Sequence, residues 1–517
     1  MPVQNLLVVI VGTALLQGCG SGTAPEADVA ITPNAPPPPG APQTPIGSID
    51  AELRVLIAAN NLTGDPSTGR DLPRISDPLA QLGKKLFFTK ALGGEFDSAC
   101  ASCHHPVLGG TDRLSLSFGV GAIDPDLLGP GRGDATGVPN VPRNAPTTFN
   151  VGLWDAALFM DSRVESLGKE VGENGAASGI STPDSGINVI DVAAGENLVA
   201  AQARFPVTSV EEMRGLLEPG ESDDVLRAHL AARLGDYGAG QGELTNSHWL
   251  TEFQSAFVSA APADGLITFD NIALAIAAYE RSQVFVDTPW RDYVQGDDHA
   301  ISNDAKQGAI LFYTDADQQG GGCVQCHSGD FFTDQEHHTI GAPQFGPGKG
   351  NPNNHDFGRE NISANASERF RIRTPSLLNV EVTGPYMHTG AYESLQQVMN
   401  HYDNPNGTVD DFFDDGAWCS LQQFDDVEDC AALYPNAERN SNQVLARINT
   451  ERNQNDPAAL PNVNLNNGER NDLVAFLRTL TDPCVEDRAC LSAWIPASDE
   501  AADEQQLNAV DINGNAL

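Results

Sequence analysis

Apolar residues recur at helical spacing in three places along the chain, and no stretch alternates cleanly enough to read as a strand. Thr268 stands as an N-cap before Ile272, Ile276 and Tyr279, which repeat on one face. A second helix is predicted from Ser394, with Leu395, Val398, Met399 and Tyr402 along one side. A third is predicted from about Glu469 to Leu480, with Leu473, Phe476 and Leu477 turned inward. Between these lie Gly- and Pro-rich segments, notably 109–146 and 340–365, whose composition predicts irregular loops. The expected fold class is mainly α, with long irregular loops and few or no strands.

Near the start, Leu6 to Leu16 is an apolar run too short to span a bilayer, and it is followed by Gln17, Gly18 and Cys19. That pattern resembles a bacterial lipobox. Residues 1–18 are therefore expected to be a signal peptide and Cys19 a lipidated first residue, although no Lys or Arg precedes the run. Residues 19–48, with Pro36 to Pro39 in a row, are expected to be a disordered tether. The only membrane contact this predicts is a lipid anchor on the periplasmic side.

The chain has 517 residues, too many for one core at about 150 residues per domain. Lys and Arg number 29 against 70 Asp and Glu, a formal net charge of −41. Such a field repels phosphate backbones and excludes nucleic acid as a partner. It suits a basic partner protein, and equally a solvated acidic surface with none.

Nine cysteines change the picture more than composition does. Cys100 with Cys103 and Cys323 with Cys326 form two CxxC pairs, each followed at once by a histidine, His104 and His327. Two thiols at this spacing can form thioethers to haem vinyl groups while the adjacent imidazole reaches the iron, so each pentapeptide is a c-type haem attachment signature. A shared zinc site would need the two distant pairs to converge, and a redox dithiol would be expected beside a βαβ pattern that is absent. Cys419 with Cys430 and Cys484 with Cys490 are expected to close small disulfide loops, as an oxidising compartment permits. The spacing of the motifs divides the chain into an N-terminal haem domain over 49–300 and a C-terminal one over 301–495. The C-terminal domain carries an insertion at 404–465, and an acidic tail follows at 496–517. The acidic stretch Asp410 to Cys430 is expected to be a solvated, disulfide-closed loop.

Around these motifs the chain resembles the bacterial di-haem cytochrome c peroxidases, including the MauG-type enzymes. The resemblance covers roughly residues 75–480. It rests on CASCHHPVLGG (100–110), PRNAPT (142–147), Gln202, Glu212 with Met213, Cys323 to His327, the FFTD and HHTIG segments, and TPSLLNVEVTGPYMHTG (374–390). It implies two cytochrome c-like haem domains, two covalently bound haems, peroxide as oxidant, and an electron-donor protein or oxidised protein substrate as partner.

Three positions bear on the kind of member. The place of the histidine that closes the first haem in reductively activated relatives is Val120, which has no lone pair. The resemblance therefore implies an open iron on His104; His105 is too close in sequence to reach the opposite face. The sixth ligand of the second haem falls on Tyr402, where phenolate would lower the reduction potential. Met399 and His401 are rival ligands, and simple packing is the plain alternative for Tyr402. Glu212, ten residues after Gln202, would transfer a proton between the two peroxide oxygens. Ser209 to Glu212 also reads as a capping box, which would make Glu212 a helix-start residue.

Further implied roles are a calcium site at Asn144, Thr383 and Pro385, and haem propionate contacts from Arg371 and Arg373. His337 and His338 are expected to be structural. The tryptophan that relatives carry between the haems is Met160 here, with Trp154 as a possible substitute. The implied activity is that of a MauG-like di-haem peroxidase. The alternatives are a conventional cytochrome c peroxidase fed by a small cytochrome, and a non-catalytic di-haem electron-transfer module.

Overall fold

A computed structural model describes residues 48–424 and 427–517. The expected signal peptide, Cys19 and the tether up to residue 47 lie outside the described residues. The fold is mostly helical, and its sheets are vestigial. The strands Ala157–Leu158 (β1), Val164–Ser166 (β2) and Ile180–Ser181 (β3) form an antiparallel trio, and His337–His338 (β4) pairs with Ile372–Arg373 (β5).

The main helices are Ile49–Ala59 (α1), Pro78–Phe88 (α2), Asp223–Gly235 (α3), Phe269–Arg281 (α4), Asn303–Tyr313 (α5), Leu395–Asp403 (α6), Pro405–Phe413 (α7), Ala437–Asn453 (α8) and Asn467–Arg478 (α9). The three predicted helices are α4, α6 and α9. Thr268 Oγ1 accepts from Asn271 N and starts α4. Ser394 and Gln397 cap each other's backbone and start α6. Asn466 and Glu469 form a second capping box, which starts α9 two residues ahead of the expected point.

Two crossed helix pairs organise the molecule. In the first, α2 meets α4 at Gly83, where an added Cβ would lie 1.9 Å from the Ala275 carbonyl oxygen and 2.8 Å from Tyr279 Cβ. In the second, α5 meets α9 at Gly308, where a Cβ would lie 1.9 Å from the Asp472 oxygen and 2.9 Å from Phe476 Cβ. Only a residue without a side chain lets backbones approach so closely. The match sets Ala275 against Asp472 and Tyr279 against Phe476, so the two pairs are one scaffold used twice. Each pair is followed, after its first helix, by one CxxCH motif: Cys100–Cys103 is a helical turn after α2, and Cys323–Gln325 a turn after α5.

One of the apolar clusters crosses between the halves, joining Leu53 and Trp154 from the first half to Phe312, Phe332 and Phe476 from the second. The segment 496–517 returns to the first half: Lys90 N donates to Gln505 O, Leu507 N to Phe88 O, and Trp249 Nε1 to Asp503 Oδ2 at 2.6 Å. Both expected disulfides, Cys419–Cys430 and Cys484–Cys490, are formed. The expectation of a solvated loop between Asp410 and Cys430 is corrected. Trp418, Leu421 and Phe424 are buried, and Trp418 and Phe424 pack around Phe345 with Tyr434. Three apolar residues in an acidic stretch are enough to give it a core, since each removes a large apolar surface from water.

Candidate active site

A cavity of about 410 Å³ opens between the two crossed pairs and is lined by all four CxxC cysteines together with His104 and His327. These four thiols are free, whereas the other four described cysteines are paired. Each motif histidine is oriented by the same device. His104 Nδ1 meets the Gly110 carbonyl at 3.2 Å, and His327 Nδ1 meets the Phe332 carbonyl at 3.1 Å. A carbonyl only accepts, so Nδ1 carries the proton and the Nε2 lone pair is left for a metal. Burial pushes His327 down to about 4 and His104 below its ordinary value, which keeps both imidazoles neutral, as iron ligation requires. Free thiol pairs beside neutral, aimed imidazoles fit two c-type haems.

Gln202 and Glu212 line the same cavity. Gln202 ends a short helix, Leu198–Gln202, while Glu212 lies in a π-turn, Val210–Arg214, where Arg214 N reaches back to Ser209 O. Half of the expected capping box forms: Ser209 Oγ accepts from Glu212 N at 3.3 Å. The return bond from the glutamate is missing, and its carboxyl faces the cavity instead. Burial raises Glu212 above the usual carboxylate range, against the opposing influence of Arg163 and Lys349. Arg163 and Lys349 line the cavity beside it.

The strand of loop bearing Val120 lies against this turn, Val120 N donating to Glu211 O at 3.2 Å. It is pinned by Arg132, whose buried guanidinium donates to the carbonyls of Phe118, Gly119, Asp97, Pro125 and Leu127. His105 is buried against Phe88 and accepts from Val107 N, away from the cavity lining.

At the second motif, Tyr402 and Met399 both face the cavity from α6. His401 does not. Its Nε2 donates to Ile340 O at 2.8 Å, and its Nδ1 accepts from the hydroxyls of Tyr392 and Thr408 at 2.9 and 3.0 Å. Both nitrogens are engaged, which removes His401 as a rival ligand. Burial raises the Tyr402 hydroxyl well above its ordinary value, so only a strong counter-charge such as a metal cation would make it phenolate.

Asn144, Thr383 and Pro385 all line the cavity. Asn144 Nδ2 donates to Leu114 O at 2.8 Å, so its carbonyl oxygen is the atom left for a cation. Oxygen donors of this kind fit a hard cation such as calcium. Arg373 lines the cavity, with Nε donating to Phe159 O and Nη1 unpartnered. Arg371 is a correction. Its guanidinium is held by Glu451, whose side chain is fully buried, and by Asp456, and it takes no part in the lining. Two carboxylates outside the cavity outcompete any role within it.

Met160 and Trp154 line the cavity too, and so does the buried His388. His337 bonds Ser162 Oγ and His338 bonds Asp334 Oδ2, each at 2.7 Å, although His338 also borders the cavity. Sequence reading missed Lys349, which sits in an uninformative glycine-rich loop, and Glu280. The signal for Glu280 was present: it is an acid four residues after Ile276 on the apolar face of α4.

The family model described as di-haem cytochrome c peroxidase matches residues 77–299. The methylamine utilization protein MauG of Methylorubrum extorquens is 29% identical over 62% of this chain and 67% of its own length. The cytochrome c551 peroxidase of Pseudomonas aeruginosa is 28% identical over 63% and 71%. Among solved structures, the diheme peroxidase BthA from Burkholderia thailandensis aligns with a TM-score of 0.50 over 87% of this chain and 92% of its own, at 19% identity. A MauG-like protein associated with microbial copper homeostasis aligns with a TM-score of 0.50 over 82% and 97%, at 21% identity. No helix among the described residues is long and apolar enough to cross a membrane.

Proposed function

We propose that the chain, which is similar to the di-haem cytochrome c peroxidases, is a MauG-like peroxidase that cleaves hydrogen peroxide at an open N-terminal haem without prior reduction. Two c-type haems, held by Cys100, Cys103 and His104 and by Cys323, Cys326 and His327, supply when bound the irons that take up peroxide and pass on its oxidising power. The observation that carries the reading is the pairing of Glu212, a half-buried residue lining the cavity, with Val120, a residue without a lone pair, on the neighbouring loop.

Glu212 takes a proton from one peroxide oxygen and returns it to the other, so that water is the leaving group. Gln202 orients the peroxide by hydrogen bonding. Arg163 and Lys349 favour the carboxylate form of Glu212, while burial keeps its affinity for a proton high enough for it to pass one on. Tyr402 would supply a phenol oxygen to the iron of the second haem. If calcium is bound, Asn144 Oδ1 and the backbone oxygens of Thr383 and Pro385 would hold it, as oxygen donors suited to a hard cation. The oxidised partner is an electron-donor protein or a protein side chain acted on at the surface. We place the protein in the periplasm, lipid-anchored through Cys19; two disulfides and two c-type motifs support an oxidising compartment.

Spectroscopy of the fully oxidised protein tests this. One high-spin and one low-spin haem are expected, with peroxide changing the spectrum of the untreated protein on mixing. Two low-spin haems that respond to peroxide only after reduction would instead mark a conventional cytochrome c peroxidase.

A further inference from the structure

The repeated scaffold exposes one position where the two haem sites differ in charge. Superposing the crossings at Gly83 and Gly308 sets Ile276 of α4 opposite Leu473 of α9, and Glu280 opposite Leu477. All four residues line the cavity, one pair toward each CxxCH motif. Three are apolar, as a porphyrin face demands. The fourth is a carboxylic acid only 5% exposed, and its Oε2 has no hydrogen-bond partner. An unsatisfied buried carboxyl is costly, and its persistence beside a cofactor cavity points to use.

We propose that Glu280 is a redox-linked proton site of the N-terminal haem: one electron accepted there from a one-electron donor is matched by one proton taken from water onto the Glu280 carboxylate, and both leave on oxidation. The inference rests on haem attachment at Cys100 and Cys103. An ionised carboxyl in a low-dielectric wall favours the more positive, oxidised cofactor, and a protonated one favours the reduced form.

The surroundings leave Glu280 free to act this way. Burial alone raises it, to about 8, and no charged group offsets the effect. The titratable groups facing it are Cys100, which a thioether would make neutral, and its neighbour Tyr279, held far above its ordinary value. On the elements packed against α4, the charged side chains are already paired. Lys84 and Lys85 of α2 bind Glu500 and Glu252, while Arg227, His229 and Arg233 of α3 bind Asp184, Glu218 and Glu243. The helix Leu198–Gln202 contributes none, and Arg281 donates to Asp71 O.

Potentiometric titration of the holoprotein from pH 6 to 9 tests the proposal, reading each haem by its own absorption. In the wild type, the reduction constant of the N-terminal haem should fall with rising pH, by up to tenfold per unit, while that of the C-terminal haem, beside Leu477, changes far less. Glu280→Gln should flatten the N-terminal dependence and ease reduction at pH 9 by tenfold or more. Glu280→Leu, which copies the second site, should do the same and serves if the amide variant folds poorly. Two attached haems with the wild-type slope retained in either variant would overturn the proposal. Absence of haem from Cys100 and Cys103 in the wild type would instead overturn the attachment on which it rests.

Discussion

Arg373 lies over the indole of Trp154, its guanidinium carbon 3.5 Å from the ring centroid. Burial brings Arg373 down to about 9, so it stays charged at neutral pH. A fixed cation on the ring face opposes removal of an electron from that ring. Trp154 borders the cavity, yet this contact makes it a poor relay between the two haems. Met160, which also lines the cavity, offers no aromatic alternative. Electron sharing between the haems should therefore be slow. Trp154→Phe should leave its rate unchanged and Met160→Trp should raise it, as followed by rapid-mixing spectroscopy of the half-reduced protein. A marked slowing in Trp154→Phe would restore that indole as the route.

Glu212→Gln should lower the rate of peroxide cleavage by roughly a hundredfold or more, with both haems still attached. The wild-type rate should fall as pH drops through the raised value of Glu212, because the carboxylate is the form that accepts a proton. That acid limb should lie above the ordinary glutamate value of 4.5 and vanish in the variant. An unchanged rate would leave Glu212 as nothing more than a turn residue.

Tyr402→Phe should alter the low-spin haem signal and raise the potential of the C-terminal haem, since the anionic oxygen donor is lost. Met399 faces the same cavity and is the residue positioned to replace it. Electron paramagnetic resonance decides between them: a spectrum unmoved by Tyr402→Phe but moved by Met399→Leu assigns the ligand to methionine.

Gly83→Ala and Gly308→Ala should each destabilise the fold by about 1–3 kcal/mol, despite a gain of about 1 kcal/mol in helix propensity. The new methyl would meet a carbonyl oxygen at 1.9 Å, and backbone cannot give way as a side chain can. Thermal denaturation of the holoprotein measures the difference, and an increase in Tm would contradict the crossing geometry.

Arg143 sits between Asp161 and Asp356, at 2.8 and 2.7 Å, with all three side chains buried. Although burial raises Asp161, the Arg143 charge outweighs it and holds the carboxyl well below its ordinary 3.8. A lowered carboxyl adds stability that is complete above its unfolded value and is lost only as pH falls below it. Wild-type stability from this group should thus persist down to about pH 4. Arg143→Ala should cost roughly 3–5 kcal/mol at pH 7 by leaving two buried carboxylates unpaired. Their values would then rise, so part of the loss should return on acidification toward pH 5. Urea titrations at the two pH values provide the check.

The covalent chemistry was legible in the chain because it is local. A CxxCH pentapeptide holds its thiols and imidazole together wherever it lies, and the disulfides close loops of a few residues. The apolar faces of α4, α6 and α9 were legible for the same reason, as each follows from helical period alone. Choices between distant partners were not. Arg371 and Arg373 stand two residues apart, but Glu451 and Asp456 claim the first while the second meets the cavity. His401 and Tyr402 are adjacent, and only the hydrogen bonds to Ile340, Tyr392 and Thr408 remove the histidine. The acidic stretch around Trp418 found its core in Phe345, and the segment after 496 found a place against Phe88 and Trp249. Such pairings depend on which surfaces the crossings at Gly83 and Gly308 bring within a few ångströms, a property of the packed chain that no local window contains.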